Sequence, residues 1–223
     1  MSLITKKEDE IVKILNNMAG KYPANKIFND WITMYALAIA NGCKVIHDEI
    51  WESREAEYKN IARKYKKEEW KNIETMCMLL NEALSIQEFD VLGDIYMREG
   101  YGERRTKQYY TPFEISELSA RIITNQEYEK TMKVHEPTCG SGSMIIAIAK
   151  EMRRKGQNYQ DKMQVFAQDL DWNNVYMTYI QLSLLNIKAV VIQGDTLEEP
   201  FNKLKTEITK IFETPAQRLF RNI

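Results

Sequence analysis

The sequence predicts an α/β fold, with a parallel sheet, read as incomplete, behind an all-helical N-terminal domain. Three observations predict it. Short apolar strands alternate with helices between residues 133 and 193. The first hundred residues carry only the spacing of amphipathic helices. A charged, Gly-containing loop, Glu99 to Lys107, has no apolar period and separates the two patterns. The predicted domains are therefore 1–100, helical, and 101–223, carrying the sheet.

Ile11, Ile14, Leu15 and Met18 form the first helical stripe, and Gly20 is a natural stop. Ile27 to Ile39, with Trp31, Met34, Leu37 and Ala38, predicts a buried helix ending near Asn41-Gly42. Glu49 to Asn81 is charged, with Trp51, Tyr58, Ile61, Tyr65 and Trp70 interspersed, and predicts one long helix or a pair. Phe89, Leu92, Ile95 and Tyr96 add another stripe. After the loop, Thr111 is placed as a helix N-cap, Pro112 at the first helical position and Glu114 as the partner in a capping box. Ile115, Leu118, Ile122 and Ile123 would form that helix's apolar face. Strands follow at Lys133–His135, Met163–Gln168 and Ala189–Gln193, separated by helices Met144–Met152 and Trp172–Asn186. Such a βαβαβ series closes into a parallel sheet with right-handed crossovers, and ligands sit at the carboxyl ends of its strands.

Composition excludes several classes. Thirty-one Lys and Arg against 32 Asp and Glu leave a net charge of −1, so nucleic-acid contact must be local or supplied by a partner. Cys43, Cys77 and Cys139 lack CxxC spacing and read as free thiols, not as a disulfide frame or zinc site. The N-terminus has no apolar signal region, and no segment reaches the roughly 18 apolar residues of a membrane span. The expected location is the cytoplasm, with no membrane contact. His47 and His135 are isolated, the latter read as structural. The basic groups Arg104, Arg105, Lys107 and Lys150, Arg153, Arg154, Lys155 read as solvated surface.

Three loops fall at the strand ends. The first is Glu136-Pro137-Thr138-Cys139-Gly140-Ser141-Gly142, where Gly140 and Gly142 permit unusual backbone angles and the next helix offers unpaired N–H groups. A dinucleotide fingerprint needs Gly or Ala where Ile145 stands, and the Gly-Lys-Ser/Thr of a phosphate loop is absent. An acid ending strand one suits a cofactor with a positive charge, such as the amino group of S-adenosylmethionine. In the second loop, Asp169 is placed to accept both ribose hydroxyls and Asp171 to cap the following helix. In the third, Asp195 is either a turn residue or the acceptor for an adenine amine.

These segments, with Asp90-Val91-Leu92-Gly93-Asp94-Ile95-Tyr96 and Gln108-Tyr109-Tyr110-Thr111-Pro112, occur in one order across about residues 89–197. Together they resemble the adenine-N6 DNA methyltransferase (modification) subunit of type I restriction–modification systems, over its N-terminal and cofactor-binding part. The resemblance implies a Rossmann-like S-adenosylmethionine-dependent methyltransferase sheet behind a helical domain, and DNA as partner through a specificity subunit. It implies that Tyr110, Thr111 and Pro112 border the methionine end of the cofactor. Glu136, Gly140 and Gly142, with Pro137 and Cys139 in the same loop, would hold it, Asp169 its ribose and Asp195 its adenine.

One part of the family pattern is missing. Its catalytic Asn or Asp, two prolines and an aromatic residue hold the flipped adenine. The five prolines here include no adjacent pair, so no catalytic residue is assigned. Glu199-Pro200-Phe201 is the nearest imitation, only four residues after Asp195. The 28 residues from Thr196 to Ile223 are too few for the further strands expected. Leu204, Ile208, Ile211 and Phe212 predict one amphipathic helix there. Strand one would lie at a sheet edge, to be covered by this tail, another copy or another polypeptide. Two functions remain open: a DNA adenine-N6 methyltransferase or its cofactor part, and a non-catalytic module that binds cofactor or partner in a modification complex.

Overall fold

The computed structural model describes residues 2–102, 110–124, 131–199 and 210–220. The Ser2 hydroxyl accepts the Thr5 amide at 3.0 Å and so starts α1 (Leu3–Met18), which buries Ile4, Ile11 and Leu15. In α2 (Ala24–Gly42) apolar side chains occupy most of the circumference, and Phe28, Trp31, Ile32 and Leu37 are all interior. The charged stretch resolves into a pair, α3 (Glu49–Ala62) and α4 (Lys67–Ile86). Asp48 caps α3 by accepting from the Trp51 amide at 2.9 Å. The short α5 (Val91–Arg98) starts at Asp90, whose side chain accepts the Gly93 amide.

Two expectations fail at α6 (Phe113–Ile123). Pro112 is itself the N-cap, its carbonyl accepting from Ser116 at 3.1 Å, and no side chain caps the helix. The capping box of Thr111 and Glu114 therefore does not form, because Thr111 lies one residue outside the cap. The Ile115, Leu118 and Ile122 stripe also points outward, with Ile122 71% exposed. The helix packs on its neighbour through Phe113, Ser116 and Ala120 instead. A small-residue face admits close approach, here closed by a Ser116–Ser143 hydroxyl pair at 2.9 Å.

The sheet then builds as predicted. It runs β1 (Met132–Glu136), α7 (Ser143–Arg154), the single turn α8 (Tyr159–Lys162), β2 (Met163–Asp169), α9 (Trp172–Leu184) and β3 (Lys188–Gln193). β1, β2 and β3 are parallel neighbours in that order, with Val134 opposite Val165 and Val165 opposite Ala189. Past the third loop, Ile211 and Phe212 lie in a strand, β4 (Ile211–Glu213), not in the predicted helix. β4 pairs antiparallel with β3, followed by α10 (Pro215–Phe220). Its register is fixed by Thr214, whose hydroxyl accepts from the Ala189 amide at 3.0 Å and donates to the Ile187 carbonyl at 2.7 Å. The other tail residues named for that helix, Leu204 and Ile208, lie outside the described residues, as do Arg104, Arg105 and Lys107.

The tail thus pairs with β3 and leaves β1 with one strand neighbour among the described residues. A single hydrophobic core runs from Ile4 to Phe212, because α2 packs directly on α9. The helical part forms the wall behind the sheet. Among the described residues, no helix is long and apolar enough to cross a membrane.

Candidate cofactor site

The three predicted loops converge. The Cys139 amide donates to the Gln168 carbonyl and the Gly194 amide to the Asp169 carbonyl, each at 2.9 Å, so loop one is tied to β2 and loop three to Asp169. Between them lies a cleft of about 770 Å³ at the carboxyl ends of the parallel strands. That volume falls within the roughly 300–1,000 Å³ of small-molecule sites.

Each predicted residue has a definite place. Tyr110, Thr111, Glu136, Pro137, Cys139 and Gly140 line the cleft, and Asp169 and Asp195 face it from the other two loops. Gly140 sits at φ +54°, where a Cβ would press on the Tyr110 ring at 3.4 Å. Gly142, at φ +96°, stands behind the wall as N-cap of α7, where a Cβ would meet the Thr178 hydroxyl at 3.2 Å. The left-handed backbone favours glycine at both points, and at Gly142 the tight approach to Thr178 adds to it. Pro112 serves as the cap of α6 and sets the entry of Tyr110 and Thr111.

Asp169 is the hub. One oxygen accepts from the Gly140 amide at 2.9 Å; the other accepts from the Asp171 amide and the Asn174 side chain, both at 3.0 Å. A carboxylate offers about four acceptor positions, so one stays open, on the oxygen shared with Gly140, where the expected contact to both ribose hydroxyls needs two. Asp171 caps α9 as predicted, accepting from Asn173 at 2.7 Å. Asn174 also accepts from the Tyr110 hydroxyl, whose acidity burial lowers. Sequence reasoning missed Asn174 and Thr178; the latter donates to the Gly140 carbonyl at 2.8 Å. Their four-residue spacing on α9 was the available signal.

Charge separates the ligand classes. Glu136, Asp169 and Asp195 all face the cleft, and among the described lining residues there is no lysine or arginine. Burial pushes the Glu136 carboxyl up, opposed by the Thr138 amide at 3.4 Å and by the neighbouring His135. A cationic group placed beside it would relieve that cost. Cys139 is buried and burial raises its thiol, so it presents a small surface and not a nucleophile.

The sequence profile described as N-6 DNA Methylase matches residues 87–216, more than half of the chain. The chain belongs to that family. The match begins just before α5 and ends in α10, so it covers all three loops and the whole sheet. A curated member, the type I restriction enzyme MjaVII methylase subunit of Methanocaldococcus jannaschii, is 25% identical over 136 residues. Those residues are 57% of this chain and 22% of that one, so this chain spans about a fifth of its relative. Among solved structures, a Listeria monocytogenes protein assigned to the class I S-adenosylmethionine-dependent methyltransferases without a demonstrated activity aligns with 86% of this chain and 55% of its own. Its TM-score is 0.48 at 13% identity. A type I restriction-modification methyltransferase subunit from Streptococcus thermophilus aligns over 71% and 35%, with a TM-score of 0.43 at 18% identity.

Proposed function

We propose that the strand-end cleft holds S-adenosylmethionine and that the chain is the cofactor-binding part of an adenine-N6 DNA methyltransferase. The observation that carries this is the cleft's charge, three acids with no cation among the described lining residues, over a loop turned by two left-handed glycines. That lining repels a pyrophosphate or triphosphate and suits the ammonium and sulfonium of this cofactor. Glu136 would receive the amino group, Asp169 a ribose hydroxyl and Asp195 the adenine amine, with Tyr110 and Thr111 at the methionine end. When bound, the cofactor supplies an electrophilic methyl group. The chain's own residues orient it: Thr178 and Asp169 hold Gly140 open, and Tyr110 closes the cleft beside it.

Catalysis by this chain alone is not part of the proposal, since it has no adjacent proline pair. Among the described residues β1 has one strand neighbour and α6 turns an aliphatic face outward, which favours a second polypeptide, or a second copy, packed there. DNA would then be reached through that assembly and a specificity subunit, in the cytoplasm. The alternative is a non-catalytic module that regulates a modification complex, favoured by the same missing motif. Calorimetric titration with S-adenosylhomocysteine, NAD and ATP tests the cofactor assignment, and only the first is expected to bind. Binding of NAD or ATP instead overturns it. Methyl transfer from tritiated cofactor to DNA by the chain alone would remove the non-catalytic reading.

A further inference from the structure

A buried carboxylate lies directly behind the loop Glu136 to Gly142. Asp90 is 5% exposed, and its side chain takes three donors from three segments. One oxygen accepts from the Gly93 amide at 3.0 Å and from Gln181 on α9 at 2.9 Å. The other accepts from the hydroxyl of Ser141, in the middle of the loop. Gln181 also donates to the Ser141 carbonyl at 2.9 Å and accepts from the Leu92 amide at 3.1 Å. Ser141 is therefore gripped at both hydroxyl and carbonyl, between the two glycines that shape the loop.

The grip leaves no slack. A Cβ on Gly93 would fall 2.3 Å from both the Asp90 carboxylate and the Ser141 hydroxyl. Only glycine lets α5 come this close to the loop. Burying an acid without a cation is costly, and an apolar residue would fill the space at less cost. What the acid supplies is direction: it joins α5, α9 and the loop at fixed geometry.

We propose that Asp90 is a positioning residue, setting the cofactor loop through Ser141 and so making the docking of α5 part of cofactor affinity. This rests on the cofactor assignment above. Coupling of this kind is reciprocal, so ligand in the cleft also holds α5 in place.

The full chain is tested by hydrogen exchange of the 136–145 segment without ligand, and by calorimetric affinity for S-adenosylhomocysteine. Ser141→Ala should speed exchange in the loop and weaken binding about tenfold, the scale of one lost buried hydrogen bond. Asp90→Asn should behave nearly as wild type, since its amide can accept from Gly93 and Gln181 and donate to Ser141. Asp90→Leu should lose what Asp90→Asn keeps. Ile11→Val, in the core of α1, serves as the destabilised control and should change neither readout. Wild-type exchange and affinity in Ser141→Ala overturn the proposal, whether or not Asp90→Leu folds. If the wild-type chain fails to bind the ligand, the cofactor assignment falls, and loop exchange alone decides whether Asp90 sets the loop.

Discussion

Glu8 in the helical part and Asp169 at the end of β2 are both acids drawn away from bulk water, in surroundings of opposite kind. Glu8 is 2% exposed; one of its oxygens meets no donor among the described residues, and the Arg98 guanidinium comes only within 4.0 Å. Burial, reinforced by Asp94, pushes its carboxyl up to about 7. Asp169 instead takes three N–H donors from three neighbouring positions. Donors turn a half-buried acid into a fixed point of architecture. Where they are missing, the same group becomes a proton-dependent weakness.

The sharpest way to break this contrast is Asp169→Ala. The substitution strips the acceptor from Gly140, Asp171 and Asn174 together and removes the proposed ribose contact. Affinity for S-adenosylhomocysteine should fall at least about a hundredfold, from the loss of one ligand bond and of the loop's anchor. Asp169→Asn keeps one acceptor oxygen and should fall less. Isothermal titration decides, and unchanged affinity in Asp169→Ala removes Asp169 from the site.

Glu8 gives a smaller effect, on stability. Its folded-state carboxyl titrates above the unfolded value, so between about 4.5 and 7 the folded protein binds the extra proton. Stability from this group is therefore full at low pH and is lost as pH rises through about 7. The contribution should drop by about 2 kcal/mol between about pH 5.5 and pH 8. Glu8→Gln should flatten that dependence and raise the melting temperature at pH 8. Urea unfolding at the two pH values measures both, and an equal pH slope in the variant refutes the assignment.

The two acids also differ in how far the sequence disclosed them. Asp169 follows an apolar strand and precedes a capped helix, so local pattern alone placed it at a ligand-binding edge. The Gly140 and Gly142 turn was legible for the same reason, because left-handed backbone restricts the residue type. Glu8 lies in a charged run, and only the packing of α1 against other helices makes it interior. Asp90 stood out only as the first residue of the family-like segment Asp90 to Tyr96, because its partners Ser141 and Gln181 are 51 and 91 residues away. Periodicity misled at α6, since a stripe of Ile and Leu does not say which face packs when small residues offer closer contact. Ile211 and Phe212 fit helix or strand equally, and pairing with β3 decided.

Asp195 sharpens the comparison from the weak side. It follows β3 in the third loop as Asp169 closes β2 at the second, yet its carboxylate accepts from the Leu197 amide at 2.9 Å, a bond within its own turn. Its carbonyl accepts from Glu199 at 2.7 Å, which holds the turn without the side chain. Asp195→Asn retains an acceptor for Leu197, so the turn should survive and the melting temperature should stay within about 2 °C. The affinity for S-adenosylhomocysteine should fall only about threefold, as expected for one exposed, solvent-competed bond to an adenine amine. A loss as large as that of Asp169→Ala would mean that donors within the loop are not what separates an anchoring acid from a peripheral one. Titration of both variants under one buffer makes that comparison directly.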